Sequence, residues 1–274
     1  MASAHETMIA PRSGWQPVDL REILDYRSVF FVMAGRDVKI RYRQTLLGGL
    51  WAILQPLLAM VIFTYFFNRL AGIHSDGPPY PLFAYAGLVP WTFFSNAVST
   101  STNSLLLNGA MLSKIYFPRV FIPLATIGAL IVDVLFSLLL LAVLIPYYHW
   151  HFGWQILLAP VFIVGTFLTA AGIGFFLSAV NVRLRDVKYV VPYALQMGIF
   201  ITPVIYPLGY VHGRARLLLS LNPMVGMVQG FRASVLGTPF DWGVILISWI
   251  LVVAVFLFGL FFFGRQEPMF ADLI

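Results

Sequence analysis

Residues 242–263 read WGVILISWILVVAVFLFGLFFF, 22 positions without a charge. A helix of about 20 residues crosses the hydrocarbon core of a bilayer. In lipid only a segment that closes its own backbone hydrogen bonds survives, so a run this long and apolar is a membrane helix. Five more stretches share its character, at 46–67, 83–107, 120–145, 154–180 and 189–206. The expected fold is all-α and integral to a membrane, with six transmembrane helices.

Composition agrees. The 274 residues are 60% hydrophobic and 10% charged, where a soluble domain averages about 25% charged. The length suits one membrane domain with short loops. The net charge of +6 does not read as a nucleic-acid surface, because the basic residues sit at the ends of apolar stretches, where lipid headgroups lie. The chain contains no cysteine, which excludes disulfides, thiolate zinc sites and a cysteine nucleophile.

Lys and Arg also give an orientation. Thirteen of them fall on the side of the first segment, of the loops near 114–119 and 183–188, and of Arg265. Four fall on the other side, at Arg69, Arg214, Arg216 and Arg232. The positive-inside rule then predicts that both termini are cytoplasmic. The expected organisation is a disordered cytoplasmic tail at 1–18 with no signal-peptide core, an amphipathic interface helix at 19–44, a six-helix transmembrane domain at 45–264 and a cytoplasmic tail at 265–274.

Several positions break the apolar pattern. Thr92, Asn96, Ser99 and Asn103 recur at spacings of four, three and four, which puts them on one helix face. Such a stripe must face protein or water, as interhelical hydrogen bonds or as a hydrophilic conduit. Asp133 lies near the middle of the third stretch, where an acid either fixes packing or serves transport. Residues 108–123 form a cytoplasmic loop too apolar for a purely solvated connector. Gly165, Gly172 and Gly174 predict close helix packing. Residues 208–241 hold two apolar pieces too short to cross, separated by Asn222-Pro223, a pattern that predicts short re-entrant helices on the outer side.

Much chemistry is missing. The chain has no P-loop and no Gly-Lys pair, no His-Glu-x-x-His and no Gly-x-Ser-x-Gly, so neither nucleotide cradling nor these hydrolytic chemistries is expected of it. His149 and His151 lack a nearby carboxylate and do not read as a metal site. No metal ligand and no catalytic residue is expected. A pathway without a motor points to a separate subunit that supplies energy.

The segment Arg36-Asp37-x-Lys39-x-Arg41-Tyr42-x-x-Thr45-x-Leu47-Gly48-x-x-Trp51-x-x-Leu54-x-Pro56 resembles the entry to the first span of one family. This is the membrane permease of bacterial polysaccharide-exporting ATP-binding-cassette (ABC) transporters, which include O-antigen, capsule and teichoic-acid exporters. Four more matches follow in order. They are Lys114-Ile-Tyr-Phe-Pro118-Arg119 with Pro123, Val182-Arg183-x-Arg185-Asp186-Val187, Thr202-Pro203-Val204-x-Tyr206, and Asn222-Pro223 with Arg232.

The resemblance implies a homodimer in the bacterial inner membrane, served by two ABC ATPase subunits that bind ATP and Mg; this chain itself would hold no cofactor. Lys114, Tyr116, Pro118, Arg119, Arg183, Arg185 and Asp186 would face those subunits. The expected cargo is a lipid-linked polysaccharide, most of all O-antigen, with capsule or teichoic acid as the alternative and a membrane enzyme of envelope lipids as a more distant one. Arg36, Lys39, Arg41 and Arg43 are placed to attract the lipid phosphate. Phe63, Tyr65, Phe66, Phe200 and Tyr206, with Thr92 and Asn96, are the candidate channel wall.

Overall fold

The computed structural model describes residues 24–43, 49–75, 77–112 and 117–270, and among them all regular structure is helical. In chain order the helices are α1 (Arg27–Tyr42), α2 (Leu50–Phe63, continued by a π-helical turn Thr64–Leu70), α3 (Tyr80–Leu107) and α4 (Gly109–Leu112). They continue with α5 (Phe121–Ala129), α6 (Ile131–Tyr147), α7 (Ala159–Arg183) and α8 (Val187–Ile201). The last are α9 (Gly213–Ser220), α10 (Pro223–Leu236) and α11 (Trp242–Gln266).

Four helical stretches are long and apolar enough to cross a bilayer: Leu50–Leu70, Phe121–Tyr147, Trp154–Arg183 and Trp242–Met269. This is a multi-pass membrane protein. Their bare faces carry the mark of lipid contact. On α11, Leu246, Ile250, Val253 and Leu257 are exposed at helical spacing, and on α6 so are Ile131, Leu135, Leu139 and Val143. The two remaining apolar stretches differ in kind. Helix α3 is long enough at 28 residues but carries a polar second half. Helix α8 has 15 residues, about 22 Å of rise against a core of about 30 Å.

Helix α3 is the hub. Helices α2, α5, α6, α7, α8 and α10 all pack on it, and 19 of its 28 residues are buried. Its hydroxyls are satisfied within the helix: Thr92, Thr100 and Thr102 donate to carbonyls one turn back at 2.7 Å, and the Asn103 amide donates to the Ser99 carbonyl at 3.1 Å. The interhelical bonds expected of the stripe reduce to Asn181 of α7, which donates to the Thr102 carbonyl at 2.9 Å and to Asn103 Oδ1 at 3.4 Å. The reason is geometric, since a hydroxyl on a helix reaches the carbonyl four residues back more easily than a neighbouring helix.

Helix α7 sits between α3 and α11, and glycines set both distances. A Cβ on Gly174 would lie 2.3 Å from Ser101 Oγ of α3, and one on Gly259 would lie 1.9 Å from the Gly172 carbonyl. Gly165 meets Met227 in the same way, at 2.2 Å. The three glycines are close-packing positions, as expected.

Helix α1 packs its Phe30 side on α5, with the Phe30 and Phe121 ring centroids 6.2 Å apart. Phe31, Val32 and Ile40 are exposed on its other faces. The helix is thus not divided cleanly into an apolar and a polar side as expected, because part of its apolar surface is spent on α5 and part is left outward. Residues 19–23 and 44 of the expected helix lie outside the described residues.

On the expected outer side, Arg232 of α10 is 3% exposed. Its guanidinium donates to the carbonyls of Phe83 (3.1 Å), Pro203 (3.3 Å) and Val204 (2.8 Å), and lies 3.7 Å from the centre of the Phe83 ring. Gly87 leaves room for it, since a Cβ there would fall 2.2 Å from Nη2. Tyr80 adds a bond to the Ile205 carbonyl at 2.8 Å, and Asn222 a bond to Thr202 Oγ1 at 2.9 Å. Backbone carbonyls freed where α8 ends are thereby satisfied by donors from α3 and α10, as a low-dielectric setting demands.

Replacing Arg232 by Leu should leave three buried carbonyls short of donors and cost about 2–4 kcal/mol. The thermal midpoint of the detergent-solubilised protein should fall clearly, whereas Gly243→Ala, at an exposed position, should leave it unchanged. An Arg232→Leu protein as stable as wild type would remove the clamp role.

Candidate functional site

A cavity of about 270 Å³ opens where the end of α1, α2, α3 and the start of α6 meet. Its polar lining is Arg41, Gln55, Thr92, Asn96, Asp133 and Ser137, and its aromatic lining is Tyr42, Trp51 and Phe93. Two of the expected channel residues, Thr92 and Asn96, and one of the expected phosphate ligands, Arg41, therefore share one chamber.

Asp133 organises it. The third stretch is broken at Leu130, so that α6 starts anew at Ile131 and places Asp133 in its first turn. Arg41 Nη2 pairs with Asp133 Oδ2 at 2.8 Å, and the Tyr42 hydroxyl donates to Oδ1. Burial, helped by the bond to Asp133 and by its charge, holds the Tyr42 phenol above its ordinary range, so Tyr42 stays a donor at neutral pH. Both carboxylate oxygens are thus claimed by the last turn of α1, which ties that helix to the membrane core. Between the two uses weighed for Asp133, the geometry is that of an anchor.

The expected phosphate ligands divide. Arg36 is taken by Asp37 Oδ1 (2.9 Å) and by Asn108 Oδ1 (2.8 Å), and Arg41 by Asp133. Lys39 and Arg43 are exposed. The sequence showed four equivalent cations; the fold uses two of them as internal fasteners.

The aromatic candidates lie elsewhere. Phe63 packs on Phe67 at 5.8 Å, and Tyr65 and Phe66 form an edge-to-face pair, each about half exposed, on the π-helical turn that ends α2. Phe200 is exposed on α8, and its carbonyl accepts from the Tyr206 hydroxyl at 3.1 Å. Among the described residues no ring contact joins the α2 group to the α8 group.

Of the expected coupling residues, Lys114 and Tyr116 lie outside the described residues. Pro118 is buried. Arg119 donates from its backbone N–H to Glu267 Oε1 at 3.2 Å and from its guanidinium to the Glu267 carbonyl. Arg183, Arg185 and Asp186 are exposed at the turn between α7 and α8.

Reading the sequence missed Gln55, Trp51, Tyr42 and Ser137 as site residues. Gln55 carried a signal, as a lone amide in an apolar span. Tyr42 and Trp51 stood inside the quoted motif. Ser137 carried none, because its position one turn beyond Asp133 matters only once Asp133 faces the chamber.

The anchor is testable. Asp133→Ala should speed hydrogen exchange through residues 27–43 about tenfold, an effect of about 1.4 kcal/mol on local opening, and Asp133→Asn should do less. Unchanged exchange in the Ala variant would remove the anchor.

The sequence is similar to known proteins. Residues 28–236 match the family described as ABC-2 type transporter. The chain is 31% identical over 217 residues to the O-antigen export system permease protein RfbA of Myxococcus xanthus, covering 78% of this chain and 82% of that protein. It is 25% identical over 249 residues to the protein of the same name from Klebsiella pneumoniae, covering 89% and 93%. It is 26% identical over 242 residues to the polysialic acid transport protein KpsM of Escherichia coli, covering 85% and 92%. With its hub helix, its Arg232 clamp and its anchored first helix all inside the matched region, the chain belongs to the ABC-2 type transporter family of membrane permeases.

Proposed function

We propose that this chain is the permease half of an ATP-driven exporter that moves a lipid-linked polysaccharide, O-antigen above all, from the cytoplasm across the bacterial inner membrane. The observation that carries this reading is the 31% identity, over most of both chains, to a protein named as an O-antigen export permease. The relatives named for polysialic acid transport support a capsule polymer as the second reading. Membership in a transporter family sets aside the envelope-lipid enzyme.

In this reading α3 and α8 join the four long apolar stretches to give six spans, with both termini cytoplasmic. Helix α3 is tolerated in the membrane because protein surrounds it, and α8 because the clamp at 202–206 completes its outer end. Helices α9 and α10, with 8 and 14 residues, dip into the outer leaflet and return. The burial of α10 against α3, α7 and α11 supports this, since short helices at that depth need protein around them.

Two copies enclose the conduit. Helix α8 buries only Val191, and α2 only Pro56 and Met60, so both offer an apolar surface to a second copy or to lipid. Phe63, Tyr65, Phe66, Phe200 and Tyr206 give that wall aromatic faces on which pyranose rings slide without ionic traps. The exposed Lys39 and Arg43 attract the lipid diphosphate, and Thr92 and Asn96 offer the polar lining of the chamber beside Arg41. Two partner ATPases bind ATP and Mg and move the stretches around 114–119 and 183–188. The energy reaches the conduit through shape, so the permease needs no reacting group.

In a strain lacking its own O-antigen permease, this chain with its cognate ATPase should restore surface O-antigen, and the chain alone should not. Absence of any surface polymer from the pair would overturn the reading, and recovery of capsule only would select the second one. In the working pair, Asp186→Arg should cut polymer exported per ATP by about tenfold or more while ATP hydrolysis continues, the mark of a lost coupling contact. A normal ratio would remove Asp186 from coupling.

A further inference from the structure

The segment that follows α11 joins parts of the chain that the sequence keeps far apart. Residues Glu267–Met269 form one 3-10 turn. On one side this turn receives the Arg119 backbone N–H on Glu267 Oε1, at 3.2 Å, and the Arg119 guanidinium on the Glu267 carbonyl. On the other side Arg183, the last residue of α7, lies against the Met269 side chain. Beneath the turn, Phe270 is 1% exposed, with its ring centroid 5.2 Å from that of Phe263, itself 5.7 Å from Phe175. The turn is therefore seated on the α7–α11 core and fastened to the loop before α5.

Arg119 and Arg183 begin or end the two stretches assigned above to the ATPase. We propose that Glu267–Phe270 is a strap that holds these two stretches in fixed register, and that Glu267 is a positioning residue for coupling. The proposal rests on the exporter reading. A push on one stretch reaches the other only if the connection between them is stiff, and the described contacts supply such a connection. Phe270 fills a closed apolar site, so the strap cannot slide. Glu267 accepts a backbone N–H, so it fixes the path of the loop at Arg119 and not merely a side chain. Carbonyl acceptance from the guanidinium holds Arg119 inward, while Arg183 and Arg185 stay exposed at the adjoining turn.

The test uses the full chain co-produced with its cognate ATPase and reconstituted. Glu267→Ala and Phe270→Ala should insert and bind the ATPase, and ATP hydrolysis should persist. Polymer exported per ATP should fall about fivefold in Glu267→Ala, the loss expected for one hydrogen bond in the coupled state, and at least as far in Phe270→Ala, which empties the buried site that seats the strap. Glu267→Gln keeps a carbonyl acceptor for the Arg119 N–H and should recover the wild-type ratio. A wild-type ratio in both Ala variants would overturn the strap. Failure of both variants to insert or to bind the ATPase would also overturn it, because the segment would then serve folding and not coupling. A wild-type chain that captures no ATPase is a different result and removes the exporter reading itself.

Discussion

A 28-residue helix with nine hydroxyl and amide side chains from Thr92 to Ser104 cannot stand in lipid. Its hydroxyls bend back onto their own carbonyls, yet the polar faces still need protein or water around them. That requirement orders the molecule. The barer apolar helices α2, α6 and α11 carry the outward-facing surface, and six helices close around α3. One side of α3 stays incompletely filled, and there the chamber with Thr92 and Asn96 forms. The polarity that makes α3 a poor membrane span by composition is the property that makes it the centre.

Two fasteners hold this arrangement at its ends, and they differ in chemistry for a physical reason. At one of them the buried Arg232 guanidinium donates to backbone carbonyls, because the break at 202–204 frees acceptors. At the chamber a carboxylate meets an arginine and a phenol from α1, at a site with 38% and 14% exposure of the paired side chains. Partial solvent access lowers the cost of gathering charges there. The first is built to stay shut. The second joins α1 to α6.

Basic residues illustrate how far composition carries. Their distribution along the chain, at the ends of apolar stretches, reads directly from sequence. Their individual use does not. Arg36, Arg41 and Arg119 look as free as Lys39 and Arg43 along the chain, but partners 72, 92 and 148 positions away claim them. Only long-range contact separates a cation that holds the protein together from one open to a ligand or partner.

The sequence by itself determined that the chain is a helical membrane protein, that Gly165, Gly172 and Gly174 lie at close contacts, and which family it belongs to. Each of these follows from local hydropathy, spacing or short motifs. Tertiary structure alone decided that Thr202-Pro203-Val204, Asn222 and Arg232 form one knot, that Asp133 is held by α1, and that Glu267 meets Arg119. Those pairings join residues far apart in the chain, and no local pattern encodes a partner that only the packing of helices around α3 brings within reach.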